Sequence, residues 1–148
     1  KAQEVVGDLE AYAQQLERLV DAEGFGPVTV NLYWVEYERP ALRAMFEKRG
    51  WSVTTNGAHN DNPEFLDRQR ASILRHAYVT SNRIATATFY SLALGRKFFL
   101  HGPPMGIDKV ADPTGEAYDA WQRTEFPMLT WEGFGDATHQ EVGEVELL

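Results

Sequence analysis

Val79-Thr80-Ser81-Asn82-Arg83-Ile84-Ala85-Thr86-Ala87-Thr88-Phe89-Tyr90-Ser91-Leu92-Ala93-Leu94-Gly95-Arg96-Lys97 is the stretch on which the fold turns. Ala77-Tyr78-Val79-Thr80 is rich in β-branched and aromatic residues and reads as a strand. Asn82 is suited to cap a helix, and Arg83 to Leu94 is apolar on most sides, as expected of a helix buried almost all round. Gly95 supplies the stop, and Lys97 to Leu100 reads as a second strand, ended by Gly102-Pro103-Pro104. Strand, helix and strand in so short a span imply parallel pairing with a right-handed crossover.

The same alternation extends upstream. Val28 to Trp34 reads as a strand bounded by Pro27, and Pro40 opens a helix whose stripe is Ala41, Leu42, Met45 and Phe46, closed by Gly50. Trp51 to Thr55 is another short strand, ended by Asn56-Gly57. Asn62 and Pro63 start a helix running to about His76. Ahead of all this, Val5, Leu9, Tyr12, Leu16 and Leu19 fall at alternating steps of four and three, predicting a helix from about Ala2 to Ala22. Behind it, Glu116 to Arg123 and Ala137 to Leu147 are helical stretches. The expected class is α/β: a Rossmann-like open parallel sheet of about four strands flanked by helices, with helical N- and C-terminal segments. The second strand would lie outside the first, with the third and fourth on the other side, so the switch point falls between Trp34 and Ser81.

Composition narrows the function classes. With 148 residues, one domain is expected, and 43% hydrophobic with 24% charged residues excludes a disordered chain. The absence of cysteine removes disulfides and thiolate metal sites. A formal net charge of -8 argues against a nonspecific grip on nucleic-acid phosphates, while leaving room for a local basic pocket. The longest apolar-rich segment, Ile84 to Leu100, is broken by Gly95, Arg96 and Lys97, so no membrane span is expected. The chain opens at Lys1 without an apolar leader, and the missing initiator Met suggests one piece of a longer protein.

In an open parallel sheet, ligands bind beyond the carboxyl ends of the strands. Thr80 and Ser81 bring hydroxyls there, Arg83 a guanidinium, and the helix start brings backbone N–H groups, which together suit a phosphate or diphosphate. Ser81 and Asn82 could equally serve as helix caps alone. His59 follows the second strand and is the best-placed ring for acid or base work, against its reading as a surface-loop histidine. His101 could donate to a phosphate or pack. Glu36 and Glu38 could supply a carboxylate base or merely a solvated turn. No phosphate-loop signature or dinucleotide fingerprint occurs, and His59, His76, His101 and His139 lack metal-ligand spacing.

The stretch from Val28 to Pro104 resembles the C-terminal, donor-binding half of a GT-B-type glycosyltransferase, especially the bacterial enzymes that build surface or capsular polysaccharide. The likeness is carried by Val79 to Lys97: a strand hands a small polar residue to a helix start, and a small or aromatic run leaves through Leu94-Gly95-Arg96-Lys97. His101-Gly102-Pro103 resembles the His-Pro element of bacterial sialyl- and polysialyltransferases, from which the inserted Gly102 departs. Phe126-Pro127-Met128-Leu129 resembles the tail after the last strand in polysaccharide transferases. The resemblance implies a nucleotide-sugar donor with its phosphates on Ser81, Asn82 and Thr86, and no cofactor beyond the donor itself. It implies stabilisation of the leaving phosphate by N–H dipoles and Arg83 without a metal. It implies an acceptor half on an N-terminal domain that this chain lacks, and a cytoplasmic location or a peripheral one at the inner membrane. On this reading the binding set is Thr80, Ser81, Asn82, Arg83, Thr86, His101 and Gly102, and the catalytic candidates are His59 and Glu36.

Two other classes compete. A non-enzymatic α/β module, a nucleotide sensor or assembly domain, suits a chain with no compelling base. A small flavodoxin-like enzyme suits it less, because Trp34 and Glu36 stand where a Ser- and Thr-rich phosphate loop would follow the first strand.

Overall fold

The structure, a computed structural model, describes residues 5–103, 105–107 and 115–130. Residues 2–4 of the expected first helix, Pro104 and the expected helix Ala137 to Leu147 lie outside them. In chain order the elements are β1 (Val5–Val6), α1 (Leu9–Glu23), β2 (Thr29–Asn31), α2 (Trp34–Tyr37), α3 (Pro40–Glu47), β3 (Ser52–Thr54), α4 (Phe65–Leu74), β4 (Tyr78–Ser81), α5 (Thr86–Ala93), β5 (Lys97–Leu100), β6 (Gly106–Ile107) and α6 (Gly115–Glu125), then a 3-10 turn, Pro127–Leu129. The class is mixed α/β.

Local signals set most boundaries. The Asp8 carboxylate accepts from the Ala11 N–H at 2.9 Å, so α1 starts at Leu9 rather than near Ala2, and Val5–Val6 pair antiparallel with Gly106–Ile107 instead. Gly24, at φ 68, closes α1 by donating its N–H to Val20 O. Pro40 opens α3 as expected. The first long strand is shorter than predicted. Past Asn31 the chain turns, and Trp34 begins a single helical turn instead of ending a strand.

The strands form parallel pairs. Thr29, Val30 and Asn31 pair with Ser52, Val53 and Thr54, and Tyr78 to Ser81 pair with Lys97 to Leu100. Among the described residues no ladder joins β2 to β4, so the four-stranded arrangement is seen as two two-stranded halves. Side chains make the join. His76 Nδ1 lies 2.8 Å from Ser72 O and therefore carries the proton in the neutral ring. Its Nε2 then accepts from the Thr29 hydroxyl at 3.0 Å. The Phe25 ring lies 4.8 Å from Tyr78 and 6.4 Å from Phe99.

Period-two alternation along β5 divides the core. Phe99 faces Ala13, Leu16 and Leu19 of α1, with Leu32, Phe46 and Trp51; Phe98 and Leu100 face Leu92 and Leu129 on the other side. Burying each phenylalanine contributes about 1.5–3 kcal/mol, so β5 stabilises both clusters at once. Helix α5 is less covered than its apolar sequence predicts. It buries Thr88, Ser91 and Leu92 but leaves Phe89 56% and Tyr90 39% exposed. Small residues on its inner face let it lie close to a two-stranded ladder, and that narrow ladder shields one side only.

Helix α1 is also clamped electrostatically. The Arg49 guanidinium, only 5% exposed, lies 2.6 Å from a Glu10 oxygen and 3.1 Å from a Glu17 oxygen, and also donates to Met45 O. Lys48 adds a contact to Glu10 at 3.3 Å. The hydrogen bond from Arg49 holds the Glu10 carboxyl below the usual range, and that from Glu10 holds the Arg49 guanidinium above its usual value. A depressed carboxyl contributes stability above its unfolded pKa, and the contribution fades as pH falls through its folded pKa. The urea midpoint is therefore expected to fall on going from about pH 5 to pH 3. Glu10→Gln should lower the midpoint at pH 7 and shrink that acid-side fall; an unchanged fall would show that the clamp carries none of it.

Candidate functional site

Where β4 and β5 end, four segments meet. His101 N–H donates to Ser81 O at 3.0 Å, extending the ladder one step beyond the strands. The His101 ring lies with Nε2 3.3 Å from Gln15 O on α1, and since a carbonyl only accepts, Nε2 is the donor. Gly102 turns the chain at φ 92, a conformation that favours glycine. The Tyr12 ring fills the space where a side chain at Gly102 would stand. Burial pushes the Tyr12 phenol up to about 12, against the opposing pull of the Arg123 charge, so it stays neutral at ordinary pH.

The turn after Ser81 differs from its sequence reading. Asn82 does not cap α5, and the helix starts at Thr86 rather than Arg83. The cap position belongs to Ala85, in extended conformation, because Thr88 reaches back: its hydroxyl oxygen accepts from Ala85 N–H at 3.1 Å while its own N–H donates to Ala85 O at 2.9 Å. Arg83 N–H donates to the Ser81 hydroxyl oxygen at 3.3 Å. Ile84 N–H donates to Gln122 Oε1 at 2.8 Å, and Gln122 Nε2 donates to Ile84 O at 3.3 Å. Three amides expected to face a ligand are therefore occupied by protein side chains. In the first turn of α5, the N–H groups of Thr86 and Ala87 are the ones that remain.

Helix α6 completes the arrangement. Gln122 is 1% exposed, and the neighbouring Arg123 donates from Nη2 to Asn82 O at 3.0 Å and to Gly102 O at 2.8 Å. Two donors here, Asn82 Nδ2 and Arg123 Nε, are shut off from solvent and have no acceptor among the described residues. A buried donor without an acceptor costs about 1–3 kcal/mol. Such a pair is the signature of a missing acceptor oxygen.

No family model, curated protein or solved structure matches this chain. The site is therefore read from its own residues. Ser81, Asn82, Arg83, His101 and Gly102 are brought together by the bonds just described. Thr80 lies in the same pair of strands, but its hydroxyl donates to Phe99 O at 3.0 Å and so serves the sheet. Thr86 is exposed at the start of α5.

The two catalytic candidates stand at the ends of the other pair, β2 and β3. Glu36 is buried, at 8% exposure, rather than solvated, and its Oε2 accepts from Tyr33 N–H at 3.3 Å, holding the start of α2. His59 is exposed, with its ring 6.3 Å from Tyr33 and 6.1 Å from Phe65. Among the described residues no three His, Asp or Glu side chains gather as a metal site. An apolar groove of about 230 Å³ lies between α4 and α5, lined by Leu66, Arg70, Tyr90, Ala93 and Leu94. It holds no acid, base or nucleophile.

Sequence reasoning missed Tyr12, Gln122 and Arg123. Tyr12 reads as one more residue of an apolar stripe, and nothing local separates Gln122 from its polar neighbours. Arg123, in the last turn of its helix, carried a faint signal, since bases there often seek carbonyls. Gly102→Ala tests the packing: it combines a positive φ with a collision against Tyr12. A loss of roughly 2–5 kcal/mol is expected from the urea unfolding midpoint.

Proposed function

We propose that this chain is the donor-binding half of a metal-independent glycosyltransferase acting in surface polysaccharide synthesis, with its nucleotide-sugar at the carboxyl ends of β4 and β5. The two parallel pairs are read as halves of one Rossmann-like sheet, and the acceptor half as belonging to a separate domain. The reading carries a cytoplasmic setting with it, or a peripheral one at the inner membrane. Among the described residues no helix is long and apolar enough to cross a membrane.

The observation that carries the reading is the pair of buried donors, Asn82 Nδ2 and Arg123 Nε, with no acceptor beside the α5 start. Phosphate oxygens are acceptors only and suit such a set. The pull on the diphosphate is strongest as the glycosidic bond breaks and charge moves to the leaving oxygen. Arg123, Asn82 and the Thr86 and Ala87 amides would hold that charge, with Ser81 and Arg83 beside them. His101 and Gly102 shape the rim. Glu36 is committed to its own helix, so of the two proposed catalytic residues His59, exposed among aromatic rings, is the better candidate to face an acceptor.

One observation favours a second reading. The amides of Arg83, Ile84 and Ala85 are satisfied within the protein, as in a module that binds no anion and serves assembly. Titration with CMP-, UDP- and GDP-sugars, followed by NMR at up to millimolar ligand, separates the two. The donor reading expects shifts centred on residues 81–87 and 101–102, and Arg123→Ala should weaken binding roughly tenfold or more. No shift with any of the three on folded protein would overturn it in favour of the module.

A further inference from the structure

Gln122 is a polar side chain buried in full, and both ends of its carboxamide are spent on one residue, Ile84. Its oxygen stands 2.8 Å from the Ile84 N–H, within the turn that leads from β4 into α5. The rest of α6 is held over that turn largely by polar contacts. Arg123 spans Asn82 O and Gly102 O, while Trp121 is 48% exposed and packs edge-on to Phe126 at 5.9 Å. A helix seated by hydrogen bonds to loop backbone can be displaced by a ligand that offers those groups equal partners, because the exchange leaves no buried group unpaired. Under the same helix, Asn82 Nδ2 and Arg123 Nε are closed off from solvent.

We propose that Gln122 is an internal occupant of the anion site: its carboxamide oxygen takes the position of a ligand phosphate oxygen on the Ile84 amide, and α6 must release it before a nucleotide diphosphate seats fully. The inference rests on the donor-site reading above and adds its regulation. Gln122 therefore lowers affinity in the resting protein. Binding is coupled to movement of α6 away from the turn, since a ligand shifts the helix only by preferring the released state.

The test uses the full chain, with Gln122→Met to remove the carboxamide at similar size and Gln122→Glu to keep an acceptor oxygen against Ile84 N–H. Inorganic pyrophosphate and UDP-, CMP- and GDP-sugars are titrated calorimetrically, and hydrogen exchange is followed at the Ile84 amide. Gln122→Met should speed exchange at Ile84, bind the ligand at least about tenfold more tightly than wild type, and regain protection when loaded. Gln122→Glu should stay slow to exchange and bind no better than wild type. If wild type binds and Gln122→Met binds equally or more weakly although Ile84 exchanges freely, the occupant proposal is wrong while the donor site stands. If neither protein binds with the amide freed, the donor-site reading itself fails. Should Gln122→Met not fold, tighter binding by Gln122→Glu would by itself overturn the proposal.

Discussion

A chain that leaves a buried strand end must find partners for its backbone before it can turn into a helix. Here that constraint is met at Ile84, whose N–H and C=O are both taken by one carboxamide, so that a side chain stands in for a neighbouring strand. The pairing explains why α5 starts at Thr86 and not earlier. The peptide at Ile84 is held in ladder-like bonding, and helical geometry begins only after Ala85. It also explains the position of α6, which is fixed over the ends of β4 and β5 by what Gln122 and Arg123 can reach. The rest of the crevice follows: Gly102 lies under the Arg123 guanidinium and over the Tyr12 ring, and the His101 ring is fastened to α1.

The energetic character of that region differs from the rest of the molecule. Around β5, stability comes from apolar burial on both faces, which is insensitive to small displacements of polar atoms. Around the Ser81 turn it comes from a few hydrogen bonds between side chains and backbone, with two donors left over. Polar networks of this kind are costly when incomplete, and a ligand that completes them recovers the deficit. A rigid pair of strands beneath an incompletely satisfied polar lid is a reasonable physical basis for binding an anion whose charge grows during reaction.

Much of the fold was legible because its signals are local. Asp8, Gly24, Pro40 and Gly95 act on backbone within a turn of themselves, and the unbroken Phe98-Phe99-Leu100 run could only be a strand buried on both faces. The errors were of two physical kinds. Asn82 was a sound candidate for a cap, but Thr88, three residues into the helix region, reached back to Ala85 and moved the start. Glu36 had the sequence of a solvated turn, but the short helix after β2 turned it inward onto Tyr33 N–H. In both cases a side chain competed for backbone groups, and the competition was decided by conformations that composition does not specify.

By itself, the sequence determined the alternation of strands and helices, the parallel sense of their pairing and the absence of thiol chemistry, because each follows from residue type within a few positions. Tertiary structure alone decided which groups meet at the ends of β4 and β5. Gln122 and Ile84 are 38 positions apart, Arg123 and Asn82 are 41, and His101 and Gln15 are 86. At such separations no periodicity links the partners. They meet because helices α1 and α6 settle where their side chains can answer unpaired peptide groups, a choice made by packing in three dimensions.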